Sequence, residues 1–500
     1  MNELPERLGA VMALDPTAPA LEFGGRWYTW GDLTSAADQV DVVLRDTGLG
    51  AGAPVGVMLR NRPAAFGAFL GLLRAGACIV TVNPLLGAER LRHDVSALDL
   101  PLLVGEPDDL ALVPGDALPT AARGALGALG QPMELVVPAA AGSRVGRAER
   151  PGVAVRMLTS GTTGPPKRID LSYEMLELVM RGAKHYERAA DSDVRLREGV
   201  VIVNAPLVHV SGVFRVVQAV LDGRRVALLE RFTVDGWVDV VRQHRPKTVS
   251  LVPTALRMVL DADVDDDVFS SIRSVVSGTA PLDPDLADAF SDRYRVPVLT
   301  SYGATEFGGG VAGWNLADHE QFGTAKRGSV GRAHPGCGLR IVDPERGTEL
   351  ATDDVGLLEV RASQLGTDEW VRTTDLARLD ADGFLWIVGR ADQTILRGGY
   401  KVQPEVVRAA LEHDPAVAEA SVVGVTDRRL GAVPVAAVQR RAGHDIDEGS
   451  LLAGASKHLA PYEVPVAIVV VDELPRTASG KADLAAVRAL FEGVAATGGA

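Results

Sequence analysis

Thr159-Ser160-Gly161-Thr162-Thr163-Gly164-Pro165-Pro166-Lys167 is the most chemically pointed stretch of this 500-residue chain. Its nine residues hold four hydroxyls, two glycines and a lysine. Glycine lets backbone N–H groups approach phosphate oxygens, hydroxyls add donors, and Lys167 brings a mobile positive charge. A polar turn is the competing reading, although a turn needs no such density of donors. The spacing is not the GxxxxGK[ST] of a Walker loop, so the fold logic of that loop does not transfer. The segment alone points to a nucleotide polyphosphate.

On either side of it the chain alternates strand and helix. Pro54–Leu59 reads as a β-rich run, Pro63–Gly76 as an apolar helix and Ala77–Val82 as a second strand. The rhythm returns at Val200–Val203, Val226–Leu229, Thr248–Val252 and Ser274–Val276. Repeated β-α-β units imply parallel sheets covered by helices. From the 340s to Arg361, short β segments separated by turns suggest a smaller antiparallel subdomain. Ala139–Pro151 is small, polar and basic, and reads as an exposed linker. Beyond Asp392 the pattern changes again. Pro404–His413 and Ser450–Leu459 read as helices, and Val417–Val425, Ala432–Gln439 and Val466–Val471 as strands. The expected fold class is therefore α/β. Residues 1–391 form a large N-terminal domain of parallel-rich α/β subdomains plus a small antiparallel β subdomain. A small α+β C-terminal domain, residues 392–500, follows.

Composition sets bounds. Hydrophobic content of 47% with 23% charged residues is that of a globular protein, and the length calls for more than one core. A net charge of −14 argues against a nucleic-acid partner or an anionic membrane surface. It does not argue against a nucleotide, because a local loop can supply the field that the whole surface lacks. The two cysteines, Cys78 and Cys337, have no CxxC spacing, so neither a zinc site nor a disulfide framework is implied. Glu3 and Glu6 stand where a secretory signal needs basic residues, and Gly498-Gly499-Ala500 carries no lipidation or peroxisomal signal. The most apolar stretch, Ala64–Leu73, ends at Arg74, short of the ~18 residues of a membrane span. No membrane insertion and a cytoplasmic location are the expectations.

TSGTTGPPK resembles the phosphate loop of the adenylate-forming superfamily, which includes acyl-CoA synthetases, peptide-synthetase adenylation domains and luciferases. Six further segments are similar to that family's motifs, in the family's order. They are Asn204-Ala205-Pro206-Leu207-Val208-His209, Ser277-Gly278-Thr279-Ala280-Pro281-Leu282 and Ser301-Tyr302-Gly303-Ala304-Thr305-Glu306, then Thr373-Thr374-Asp375, Gly389-Arg390-Ala391-Asp392 and Pro475-Arg476-Thr477-Ala478-Ser479-Gly480-Lys481. Seven collinear similarities span nearly the whole chain.

The resemblance implies an acid–CoA ligase that uses ATP, Mg²⁺ and coenzyme A. A carboxylate attacks the α-phosphorus of ATP to give an acyl-adenylate, and a thiol then displaces AMP. Both first-step partners are anions, so the site must supply positive charge and hold geometry. Thr159, Ser160, Gly161, Thr163, Gly164 and Lys167 are implied phosphate contacts. Glu306 is the implied Mg²⁺ ligand, with Thr162 supporting the same cluster. Thr279, Ala280, Pro281, Tyr302, Gly303 and Thr305 are implied around the adenine and AMP. Asp375 and Arg390 are implied ribose contacts, although an Asp at that position also reads as a helix N-cap. Lys481 is the implied catalytic lysine of adenylation, bridging carboxylate and α-phosphate. His209 and Gly278 are implied acyl-pocket wall residues, and His209 is not a general base. The small domain is implied to be mobile and to swing about Asp392. The swing exchanges the lysine loop for Gly398-Gly399 beside a pantetheine channel, where a plain turn is the rival reading. Val210, Gly212, Val213 and Trp314 hint at an apolar acyl pocket.

Two positions depart from the pattern, because Thr279 and Thr374 replace family glycines. A β-branched residue adds bulk and restricts the backbone. Either the pocket is reshaped, or ATP use is impaired and the chain makes only the thioester from a preformed adenylate. A carrier-loading adenylation enzyme, a luciferase-like oxygenase and a silent nucleotide sensor are the other readings. The silent sensor is disfavoured because Lys481, Glu306 and Asp375 are all retained. The acidic run Asp261–Asp267 lacks calcium-loop spacing and reads as a solvated turn. The identity of the acid and the oligomeric state, a homodimer included, are left open.

Overall fold

Runs of β-branched residues without charge become central strands sealed on both faces. Pro54–Met58 and Cys78–Val82 are buried at every position and pair in parallel, Val55 opposite Ile79. Between them runs the helix Pro63–Arg74, started by proline at its first turn and buried everywhere except Arg74. The computed structural model describes residues 3–86, 88–137, 149–158, 167–183, 194–427, 429–477 and 481–492. Most of the expected linker and all of Thr159–Pro166 lie outside the described residues.

Three sheets build the large domain around these strands. The first has seven strands in the order 134–137, 122–125, 102–105, 54–58, 78–82, 153–158 and 168–172, parallel except at its two edges. In the second, Arg197–Val203, Arg224–Leu228 and Pro19–Phe23 are parallel, and Arg26–Thr29 adds an antiparallel edge. In the third, Thr248–Ser250, Ser274–Ser277 and Val298–Ala304 are parallel before the chain folds back through Gly309–Gly313. The antiparallel subdomain follows as four strands, Cys337–Val342, Gly356–Ala362, Val371–Leu379 and Leu385–Arg390.

After Arg390 a small body forms around the long hairpin Val417–Asp427 and Gly431–Arg440, with Ile468–Val471 alongside. Its helices among the described residues are Pro404–Glu412, Glu448–Ala455 and the short Leu484–Ala489. The second starts before the expected Ser450, because the Asp447 side chain caps it by accepting from Ser450 N at 2.8 Å. The expected strand at Thr248–Val252 stops at Ser250, since Val252 already serves as N-cap of the helix Pro253–Asp261.

The acidic run is a surface turn clamped by arginines. Arg242 pairs with Asp265 and Asp267, and Arg293 with Asp263 and Asp266. Among the described residues no group of acidic, histidine or cysteine side chains has the makings of a metal cluster by itself. Both cysteines are free. Among the described residues no helix is long and apolar enough to cross a membrane.

One buried polar residue ties two sheets to the segment that ends in His209. Asn61, 5% exposed, donates from Nδ2 to Ala205 O at 3.0 Å and Leu229 O at 3.1 Å, and its Oδ1 accepts from Leu207 N at 2.9 Å. No apolar residue of similar size can satisfy those three backbone groups. Asn61→Leu is expected to cost about 3 kcal/mol of stability, read as a lowered urea midpoint. An unchanged midpoint would show that the bonds are replaceable.

Candidate active site

The site is built on one cross-strand pair. In the antiparallel ladder of Val371–Leu379 and Leu385–Arg390, Asp375 stands opposite Arg390. Asp375 is thus a strand residue and not a helix cap. Its backbone N–H donates to Thr373 Oγ1 at 3.0 Å, and its carboxylate accepts from the Tyr302 hydroxyl. Burial pushes the Asp375 carboxyl above its ordinary range, while the bond from Tyr302 and the charge of Arg390 pull it back. Burial and the Asp375 charge likewise hold the Tyr302 phenol protonated. Arg390 makes a forked contact with Asp392, at 2.9 Å from Nε and 2.8 Å from Nη2. Its Nη2 also donates to Thr374 Oγ1 at 2.7 Å. The threonine that replaces a family glycine therefore fixes the arginine by a hydroxyl that glycine lacks.

Glu306 comes from the next hairpin. Val298–Ala304 ends in a short turn at Thr305–Phe307 and returns as Gly309–Gly313. The two strands approach so closely that a Cβ at Gly303 would lie 2.1 Å from Gly309 O, so only glycine fits there. Glu306 is exposed, within electrostatic reach of both Asp375 and Lys481.

Lys481 reaches the same place from the small body. Surrounding protein atoms and then the Arg390 charge push its ammonium below the ordinary lysine range, opposed by Glu306 and Asp375. It nevertheless keeps solvent access, so it sits in an open cleft and not in a sealed core. The lysine turn is held from behind by Thr477 N donating to Lys481 O at 2.7 Å and by Asp483 N donating to Pro475 O at 2.8 Å. Across the cleft, Arg90 pairs with Asp483 at 3.9 Å, His413 faces Asp285 at 3.6 Å, and Arg441 pairs with Asp261. Glu306, Asp375, Arg390 and Lys481, far apart in the chain, thus form one electrostatic cluster.

The remaining expected residues fall as follows. Thr159, Ser160, Gly161, Thr162, Thr163 and Gly164 lie outside the described residues. The strands on either side of them pair antiparallel, with Leu158 opposite Arg168. Arg168, next to Lys167, is nearly buried and forks onto Asp94 at 2.8 and 2.7 Å while donating to Thr81 O at 3.0 Å. Gly278, Thr279, Ala280 and Pro281 follow the strand Ser274–Ser277, and all but Gly278 are exposed. His209 is the N-cap of the helix Val210–Leu221. Gly212 and Val213 do not line a pocket. A Cβ at Gly212 would lie 2.2 Å from Pro206 O, and Val213 is sealed in the core. Trp314 is tied down by donating to Ser329 O at 2.8 Å and packs on Phe384. Gly398-Gly399 make the turn between Ile395–Arg397 and Tyr400–Val402, both with positive φ.

The family described as AMP-binding enzyme matches residues 10–367, and the one described as AMP-binding enzyme C-terminal domain matches residues 407–481. The chain belongs to the AMP-binding enzyme family. Its relatives include 4-coumarate–CoA ligase 3 of Oryza sativa subsp. japonica, 30% identical over 96% of this chain and 90% of the relative. Indoleacetate–CoA ligase of Aromatoleum aromaticum is 29% identical over 96% of each. Among solved structures, ATP-bound MatB from Rhodopseudomonas palustris matches with a TM-score of 0.83 at 27% identity, covering 99% of this chain and all of that one. The apo structure of the same protein matches over the same span with a TM-score of 0.69.

Two supporting residues of this AMP-binding enzyme were not visible in the motifs: Asn61, which holds backbone groups far away in sequence, and Arg168, which holds Asp94 and Thr81 O. Thr374, inside a motif, matters by its contact with Arg390. Thr279 is the site's strained residue. Its φ is +71°, in the region where a β-branched side chain is disfavoured, and among the described residues it makes no hydrogen bond that offsets this. Thr279→Gly is expected to stabilise the fold by about 1 kcal/mol, measured as a raised chemical-denaturation midpoint. A fall in that midpoint would mean the threonine side chain carries packing that outweighs the strain.

Proposed function

We propose that this enzyme is an AMP-forming acid–CoA ligase that carries out both half-reactions. The observation behind this reading is the convergence of Lys481, from the small body, on Glu306, Asp375 and Arg390 of the large one. The better match to an ATP-bound relative than to its apo form supports the same arrangement. In the first half-reaction a carboxylate oxygen bonds to the α-phosphorus of ATP, and the bond to pyrophosphate breaks. Lys481 holds the incoming carboxylate and the α-phosphate together as negative charge gathers between them. Asp375 accepts from the ribose hydroxyls, held in place by Tyr302, and Arg390 frames the same sugar. The loop Thr159–Lys167 receives the phosphates, and Thr279–Pro281 with Tyr302 brackets the base. Glu306 is an open carboxylate among these groups and suits a hard cation that prefers oxygen ligands. Mg²⁺, when bound, neutralises phosphate charge and favours departure of pyrophosphate.

In the second half-reaction the thiol sulfur of CoA bonds to the acyl carbon, and the bond to AMP breaks. Residues 392–500 pivot about Asp392, withdrawing Lys481 and presenting Gly398-Gly399 to the pantetheine. The pivot must release the forked Arg390–Asp392 contact, which makes that pair the latch of the first position. Dependence on ATP and CoA goes with a cytoplasmic location. The half-enzyme reading loses ground because Thr374 anchors Arg390, the arginine of the ribose end of the site.

Lys481→Ala is expected to lower AMP release from acid and ATP by about 100-fold or more. It should leave thioester formation from a synthetic acyl-adenylate within about threefold. Gly399→Trp should do the reverse. Chromatographic assay of AMP and thioester separately checks both, and equal loss of the two steps in either variant would contradict the two-position mechanism.

A further inference from the structure

The helix Val210–Leu221, which begins at His209, carries a single charge, Arg215. Its core face is Val213, Val216, Val217 and Val220, none more than 2% exposed. At 100° per residue the opposite face is Ser211, Phe214, Arg215 and Gln218. On a surface helix that face would be bathed in water. Here all four residues are half-buried and none is exposed, so neighbouring elements partly cover the face. Phe214 shows one of them. Its ring lies 3.1 Å from where a Cβ of Gly309 would stand, on the strand that leaves the Glu306 turn. The half-buried face therefore lies where the His209 helix meets the Glu306 hairpin.

Arg215 stands apart from the other enclosed arginines. Arg60 pairs with Asp109, Arg168 with Asp94, and Arg408 with Glu405 and Glu412. Arg215 has neither an ion pair nor a hydrogen bond among the described residues. Burial alone pulls its guanidinium below the usual range, with no carboxylate opposing the shift. Arg215 keeps partial solvent access although protein surrounds it, so a small ligand can reach it. A guanidinium stays charged near neutral pH, and leaving that charge desolvated and unpaired is strongly unfavourable. Its planar fork matches a carboxylate.

We propose that Arg215 selects the acid: the substrate of this ligase carries a second carboxylate, which pairs with Arg215 while the first reacts. This deepens the ligase reading and rests on it. The apolar lining expected of the acyl pocket is thus interrupted by one fixed cation. Aliphatic or aromatic monoacids leave that cation unanswered.

The test compares dicarboxylic acids with monocarboxylic acids of equal carbon count, aliphatic and aromatic, by AMP release with ATP. The wild type should prefer a diacid by about 100-fold in kcat/KM. Arg215→Met should lose about that factor on the diacid and gain on the matched monoacid, Arg215→Lys should fall between, and KM for ATP should not move. Without ATP, Arg215→Met should melt about 2 °C higher than wild type, and the diacid should raise the melting temperature of the wild type alone. Wild-type preference for monoacids would overturn the proposal. So would a raised KM for ATP with equal loss on every acid, which would assign Arg215 to phosphate, or a lowered melting temperature in Arg215→Met. Failure of every acid to release AMP, with the diacid still shifting the wild-type melt, would instead count against the ligase reading alone.

Discussion

The site depends on a half-buried carboxylate held by a hydroxyl and a guanidinium. Burial pushes the Asp375 carboxyl upward, and the hydroxyl of Tyr302 from one sheet and the charge of Arg390 from the adjoining strand oppose that push. Removing either partner would leave a charge stranded in a low-dielectric cleft. The same arginine holds Asp392 and is held by Thr374, so the ribose end of the site and the start of the small body share one guanidinium. Lys481 completes the cluster. Its ammonium is disfavoured by its surroundings and by Arg390. Two cations crowded together in this way are relieved by a polyanion, and ATP with a carboxylate is such a ligand.

Much of the architecture was legible in the sequence because the physics was local. Val55–Val57 and Ile79–Val82 are uncharged, β-branched-rich runs of the kind that a doubly covered parallel strand accommodates. Prolines at 63 and 404 announced helix starts that the structure retains. The first fifty residues were harder. Arg26–Thr29 is too short and mixed to read as a strand, and it exists because it pairs with Pro19–Phe23. The capping box of Thr29 and Asp32 was the signal available for the helix Trp30–Asp46.

For the site, the resemblance to the family's motifs named Tyr302, Glu306, Asp375, Arg390 and Lys481, and the fold gathers them. It could not name what supports them. Asn61 looks like any loop asparagine until Ala205, Leu207 and Leu229 come to it. Arg215 did leave a signal, since it is the lone charge in a helix whose other residues are uncharged and mostly apolar. The two threonines separate on inspection. Thr374 gains a contact, whereas Thr279 bears backbone strain, and strain of that kind gathers at functional sites.

The central claim is that this chain, with both threonines in place, still drives a carboxylate onto ATP. Pyrophosphate–ATP exchange measures that step without CoA. The account predicts exchange that appears only when an acid substrate is added and needs no thiol. No exchange with any acid, from a protein that still makes thioester out of synthetic acyl-adenylate and CoA, would contradict it.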